Sequence, residues 1–230
     1  VIAIQRRVLC LQGKGGNGLD LHNRLSLLRQ AMGEGWEWDC IDGMHAIKEP
    51  EERAWWINPP GKRSYTAPNY EGDTQSIELV EARWRDNGPY DALLGFSQGA
   101  MLAAILAARG FLDEHGGPVR PRCAIFMGAA KPLPYEWLLR DLSELDSDVL
   151  RFLPDGLPPF PVPPPLPTLH VLSKADTVNP SSMGEWVSSC FGPGARKLWH
   201  NSGHVVPGDK GDVDCETIAN IAAFMREVYE

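Results

Sequence analysis

The serine at position 97 stands between two glycines, as Gly95-Phe96-Ser97-Gln98-Gly99, and two groups that could make it reactive follow it in the chain, Asp176 and then His204. A serine hydroxyl is a weak nucleophile until a base takes its proton, and an imidazole does this best when a carboxylate fixes its tautomer. The three groups together point to acyl transfer to water through a covalent acyl-Ser97 intermediate. Each partner has rivals. Asp209, Asp212 and Asp214 come after His204, which is the wrong order for the acid and favours Asp176. His200 is the rival base; it directly follows a strand, whereas His204 lies in a loop beside Gly203 and is favoured.

Acyl transfer also needs donors for the oxyanion. One is the N–H of Gln98, next after the nucleophile and at the start of a helix, where unpaired N–H groups favour negative charge. The other is expected from the stretch Gln12-Gly13-Lys14-Gly15-Gly16-Asn17-Gly18, whose glycines let the backbone approach a reacting group and aim the N–H of Lys14 at it. A phosphate cradle is the competing reading of that stretch. It lacks the Lys-Ser/Thr ending of a P-loop and misses the G-x-G-x-x-G positions. His200 and His204 have a four-residue spacing that would align two metal ligands on a helix, but Asn201-Ser202-Gly203 is poor helix material and no H-E-x-x-H signature is present, so no metal is expected. His170 is expected within a strand with its ring hydrogen-bonded.

The elements that must hold these groups follow from hydrophobic periodicity. Continuous apolar runs predict strands over 8–11, 36–41, 92–94, 123–127, 168–172 and 196–199. Leu21, Leu25, Leu28 and Met32 predict an amphipathic helix stopped by Gly33 and Gly35; Ile77, Val80 and Trp84 predict another, capped by Asp73 or Thr74 and running to Asn87. The run after Ser97 is apolar on every face and predicts a helix buried on both sides. Further helices are expected over 134–150, 185–191 and 215–229. Strands alternating with helices, each strand apolar throughout, predict a mostly parallel, doubly wound α/β sheet flanked by helices, in a single domain spanning 1–230. Lys14, Ser97, Asp176 and His204 all fall at carboxyl ends of strands, where such sheets bind ligands.

Two stretches break the pattern. Residues 44–72 have no sustained period but carry Trp55, Trp56, Tyr65 and Tyr70, which argues for order. They read either as a lid or pocket wall, with Trp55 and Trp56 binding the acyl chain, or as a loop that those indoles pack to the body. Residues 154–167 hold eight of the 20 prolines and read as a stiff surface connection or a polyproline ligand.

A net charge of -8 argues against nucleic acid or an anionic membrane as the main partner, because both reward clustered Lys and Arg. Five scattered cysteines, never in C-x-x-C spacing, predict free thiols in a reducing compartment. No signal peptide is expected, and no run reaches the about 18 apolar residues of a membrane span, so a soluble cytoplasmic location is expected.

The stretches LCLQGKGGNG (9–18), RAWW (53–56), GPYDALLGFSQGA (88–100), LHVLSKAD (169–176) and NSGHVVP (201–207) together resemble the FSH family of serine hydrolases, which includes ovarian-cancer-associated-type hydrolases and fungal polyketide-releasing thioesterases. The resemblance runs in order through nearly the whole chain. It implies an α/β-hydrolase fold, Ser97, Asp176 and His204 as catalytic triad, and esterase or thioesterase activity without a cofactor. It departs at Gln12, which stands where the family has a histidine in its first loop. The expected activity is a carboxylesterase for small-molecule acyl esters of short to medium chain. An acyl thioesterase is the near alternative, and a non-catalytic interaction module on a hydrolase scaffold is the alternative of another class.

Overall fold

The protein is described by a computed structural model covering residues 5–49, 51–113, 115–139, 166–209 and 214–229. Strand β1 (Arg6–Leu11) leads through the glycine-rich loop into α1 (Gly18–Arg24) and α2 (Ser26–Met32), then β2 (Trp36–Ile41). A short antiparallel pair, β3 (His45–Ala46) and β4 (Arg53–Ala54), precedes a 3-10 turn and α3 (Asp73–Asn87). Next come β5 (Ala92–Phe96), α4 (Gln98–Arg109), the small hairpin β6 (Phe111–Leu112) and β7 (Pro118–Val119), β8 (Cys123–Met127) and α5 (Glu136–Leu139). The described elements finish with β9 (Thr168–Ser173), α6 (Ser181–Cys190), β10 (Ala195–His200) and α7 (Cys215–Glu227).

Six strands form one sheet in the order β10-β9-β8-β5-β1-β2, and every neighbouring pair is parallel. All residues of β5 and β8 are buried, because helices cover both faces and leave no side of the pleat for water. One core lies between the sheet and α3, α4, α5 and α6, built on Leu9, Leu11, Leu93 and Phe126. The opposite core takes Val8, Cys10, Leu94 and Ile125 against Leu21, Leu28, Ile218 and Met225 of α1, α2 and α7. Strand order reverses between β1 and β5, so the loops leaving those two strands diverge and open a crevice at their carboxyl ends.

β2 and β8 have the bounds that the apolar runs predict, and the residues expected to face inward on α3 are buried. Three elements differ. The expected first helix is broken at Leu25, where ψ opens to 4°, yet Leu21, Leu25, Leu28 and Met32 all stay buried, so the spacing reports the buried face and not the break. Helix α3 starts after Gly72 in the left-handed region (φ 81) with no side-chain cap from Asp73 or Thr74. Helix α6 begins at Ser181, four residues before the expected start, directly after Pro180. Of the helix expected over 134–150, the described part is the turn Leu133–Tyr135 and α5; the remainder, and residues 154–165 of the proline-rich stretch, lie outside the described residues. All five cysteines are free thiols, and among the described residues no helix is long and apolar enough to cross a membrane.

Candidate active site

Ser97 joins β5 to α4 in a backbone conformation that only a tight turn enforces, with φ 54 and ψ -118, the one positive φ outside glycine among the described residues. Such a conformation costs on the order of 1–3 kcal/mol and persists only where its surroundings determine it. Here the Ser97 N–H donates to the Met127 carbonyl of β8 at 2.9 Å, and α4 begins at once. The flanking glycines permit the turn. A Cβ on Gly95 would lie 2.4 Å from the Gly99 carbonyl oxygen, and one on Gly99 would lie 2.2 Å from that of Leu11. The serine side chain therefore stands half-buried at the end of the sheet.

His204 reaches it from the loop after β10. Its Nε2 lies 2.8 Å from Ser97 Oγ, and its Nδ1 lies 2.6 Å from Asp176 Oδ2. A carboxylate only accepts, so Nδ1 carries the proton and the neutral ring leaves Nε2 to accept the serine O–H. Asp176 follows β9, and its side chain is only 3% exposed. Burial alone would raise its pKa. The hydrogen bonds from His204 and from the N–H groups of Asn179 and Val178, the latter two at 2.8 Å, outweigh that and hold the carboxyl below its ordinary value. His200 closes β10, its Nδ1 accepting the Ser202 N–H at 3.3 Å. Asp214 caps α7 through Thr217. Asp209 pairs with Arg24 at 3.5 Å, and Asp212 lies outside the described residues.

Sequence reasoning missed several residues that set this geometry. Ser173 Oγ accepts the N–H of Gly203 at 3.1 Å and of Ala175 at 3.3 Å, tying the aspartate loop to the histidine loop. Asn179 donates from Nδ2 to the Gly128 carbonyl at 2.8 Å. Gly128 (φ 59) forms the floor under the imidazole, where a Cβ would come within 3.2 Å of His204 Cε1. A glycine directly after an apolar strand was the one visible signal.

The glycine-rich loop lies against the nucleophile: a Cβ on Gly13 would fall 3.2 Å from that of Ser97. A cavity of about 110 Å³ opens on that loop toward α1, bounded by Gln12, Lys14, Asn17, Asp20, Arg24 and Phe96, and is lined by none of Ser97, Asp176 and His204. A larger one, about 460 Å³, lies between the end of β10 and the start of α7 and is lined by none of Ser97, Asp176 and His204. Gln12 is buried and its Nε2 donates across the loop to the Gly16 carbonyl at 3.2 Å. Trp55 and Trp56 correct the expectation of an acyl pocket. Both are 0% exposed and offer no surface to a ligand: Trp55 donates from Nε1 to the Gln12 carbonyl, and Trp56 stacks on Tyr70 at 4.4 Å. Buried indoles need both apolar packing and a partner for the N–H, and the core supplies both.

A sequence model of the family described as Serine hydrolase (FSH1) matches residues 2–215 of the chain. The human protein named Esterase OVCA2 is 29% identical over 229 residues, which cover 90% of this chain and 92% of that protein. Among solved structures, esterase PE8 superposes with a TM-score of 0.70 at 20% identity, covering 98% of this chain and 94% of its own. The acyl-protein thioesterase 2 of Zea mays does so with 0.61 at 19%, covering 96% and 94%. At such identities the two structures speak for the fold, which is that of α/β-hydrolases. The family match spans most of the chain, and the chain belongs to the FSH1 serine hydrolase family.

Proposed function

We propose that the protein is a carboxylesterase that cleaves acyl esters of short to medium chain through acyl-Ser97, with His204 as general base and acid and Asp176 as its orienting carboxylate. The observation that carries this is the continuous chain from Ser97 Oγ to His204 Nε2, 2.8 Å, and from His204 Nδ1 to Asp176 Oδ2, 2.6 Å. His204 takes the serine proton as Oγ attacks the acyl carbon, and the carbonyl oxygen becomes an oxyanion held by the N–H groups of Lys14 and Gln98. The intermediate collapses with loss of the alcohol, which leaves with the proton from Nε2. Water then attacks the acyl-enzyme by the same route, releasing the acid and free Ser97. Each oxyanion donor contributes roughly 3 kcal/mol to the transition state.

The test is a fluorophosphonate label with peptide mapping on native and heat-unfolded protein, followed by turnover of an acyl-ester chain-length series by the wild type and Ser97→Ala. The expected result is modification of Ser97 in the native sample alone and a loss on the order of a million-fold in kcat for the variant. Near-wild-type turnover by Ser97→Ala would overturn the mechanism, and a native protein that neither labels nor turns over would leave the interaction-module reading. Acyl thioesters run alongside separate ester from thioester preference, since one triad serves both bonds.

A further inference from the structure

The segment of residues 53–56 is bonded to both halves of the proposed oxyanion hole. At one end it grips the glycine-rich loop: the Arg53 N–H donates to the Gly16 carbonyl and the Gly15 N–H donates to the Arg53 carbonyl, each at 2.9 Å. The Gly16 N–H in turn donates to the Gly13 carbonyl at 3.2 Å. That carbonyl belongs to the same planar, trans peptide as the N–H of Lys14, so fixing one end points the other in the opposite direction. The Trp55 indole adds a second hold, donating from Nε1 at 2.7 Å to the carbonyl of Gln12, the preceding peptide.

At its other end the segment grips Gln98. The Trp55 N–H donates to Gln98 Oε1, and Gln98 Nε2 donates to the Trp56 carbonyl, both at 2.9 Å. The side-chain amide thus mimics one rung of a β-ladder against this backbone. Gln98 is 3% exposed, so neither bond is replaced by water if it breaks. Ser76 Oγ donates to the Trp55 carbonyl and anchors the segment to α3.

Building on the esterase reading, we infer that residues 53–56 are a strap that sets the two oxyanion donors in register, with Trp55 and the side chain of Gln98 as positioning residues. Lys14 sits on an exposed loop and Gln98 on a buried helix, and no described hydrogen bond joins their two peptides directly. The strap is the common support. It explains why the Trp55 indole lies in an aperiodic loop yet presents nothing to solvent.

Trp55→Phe keeps an aromatic ring, smaller than the indole, and deletes the Nε1 donor; Gln98→Met keeps the side-chain length and deletes both hydrogen bonds of the amide. Each is compared with wild type and Ser97→Ala for kcat, KM, thermal midpoint and affinity for an alkyl boronic acid, whose tetrahedral adduct on serine places an oxygen in the hole. The expected result is a roughly ten- to hundredfold fall in kcat with little change in KM, and a parallel loss of boronate affinity, for the folded fraction of either variant. A lower midpoint with wild-type kcat and boronate affinity would mean that the strap only stabilises the fold, and would overturn the inference. If Ser97→Ala itself keeps its activity, the esterase reading falls and takes the inference with it. An inactive Ser97→Ala beside fully active strap variants sinks the inference alone.

Discussion

The proton on His204 Nδ1 is committed to Asp176, and that commitment decides which face of the imidazole is basic. Asp176 accepts three hydrogen bonds in the structure, from His204, Val178 and Asn179, and an amide in its place would turn a donor toward one of them. Asp176→Asn is expected to favour the ring tautomer that has its proton on Nε2 and so cannot accept from Ser97. The expected loss is on the order of 10⁴ in kcat, with a fold indistinguishable from wild type by circular dichroism. A variant within tenfold of wild type would show that the ring is oriented by something else, and Gly128 beneath it would be the first residue to examine. Gln12 belongs at this scale too. Its amide spans the first loop from within by bonding the Gly16 carbonyl, which supports the loop in this chain.

Helix α4 and strand β1 meet at backbone distance, and Gly99 is the point of contact. A methyl there would press on the carbonyl oxygens of Leu11 at 2.2 Å and Gln12 at 2.4 Å, which are main-chain atoms that cannot rotate aside. Gly99→Ala is therefore expected to lower stability by about 3 kcal/mol, at the upper end of overpacking costs, because helix and strand must separate. A urea midpoint equal to that of wild type would show that the helix shifts without cost. This close approach was legible in the sequence, since glycines on both sides of a serine, set between an apolar strand and an apolar helix, mark a place where main chains touch. The same holds for β2, β8 and the inward face of α3. The break at Leu25 was not legible, because it leaves the hydrophobic spacing intact. Trp55 and Trp56 were ambiguous for a different reason: an indole in an aperiodic loop looks the same whether it faces ligand or core. Their partners Gln12 and Gln98 lie 42 or 43 residues away and become neighbours only through the fold. Ser173 and Asn179 bond main-chain groups of other loops, partners that residue type does not name, and Gly128 left only its place after an apolar strand.

Across the whole molecule the sheet separates two cores, and one of them contains a histidine that performs no chemistry. His170 on β9 is fully buried between Phe126 and Phe191; its Nε2 is 3.1 Å from Thr168 Oγ1, and its Nδ1 has no partner among the described residues. Burial, with Lys197 on the neighbouring strand as a lesser cause, pushes its pKa down to about 3. The folded state then binds this proton less readily than the unfolded chain does. The neutral ring is tolerated above the unfolded value near 6.5, and stability is lost progressively as pH falls from there toward about 3. Between pH 6.5 and pH 5 this amounts to about 2 kcal/mol. His170→Leu is expected to flatten that decline in denaturant midpoints measured across the range, and an unchanged slope would assign the acid sensitivity elsewhere.

The distance along the chain between reacting groups has its own consequence. Ser97 and His204 are 107 residues apart, and Asp176 is 28 from His204, with four strands of the sheet carrying the turns between them. Helices and single strand pairs form from nearby residues, but no local fragment contains both the nucleophile and its base. A refolding population regains helical signal from local parts, but acquires the triad only once β5, β9 and β10 have all joined the sheet. The hydroxyl, the imidazole and the carboxylate thus register completion of folding, which is a stricter measure of the native state than any average over its secondary structure.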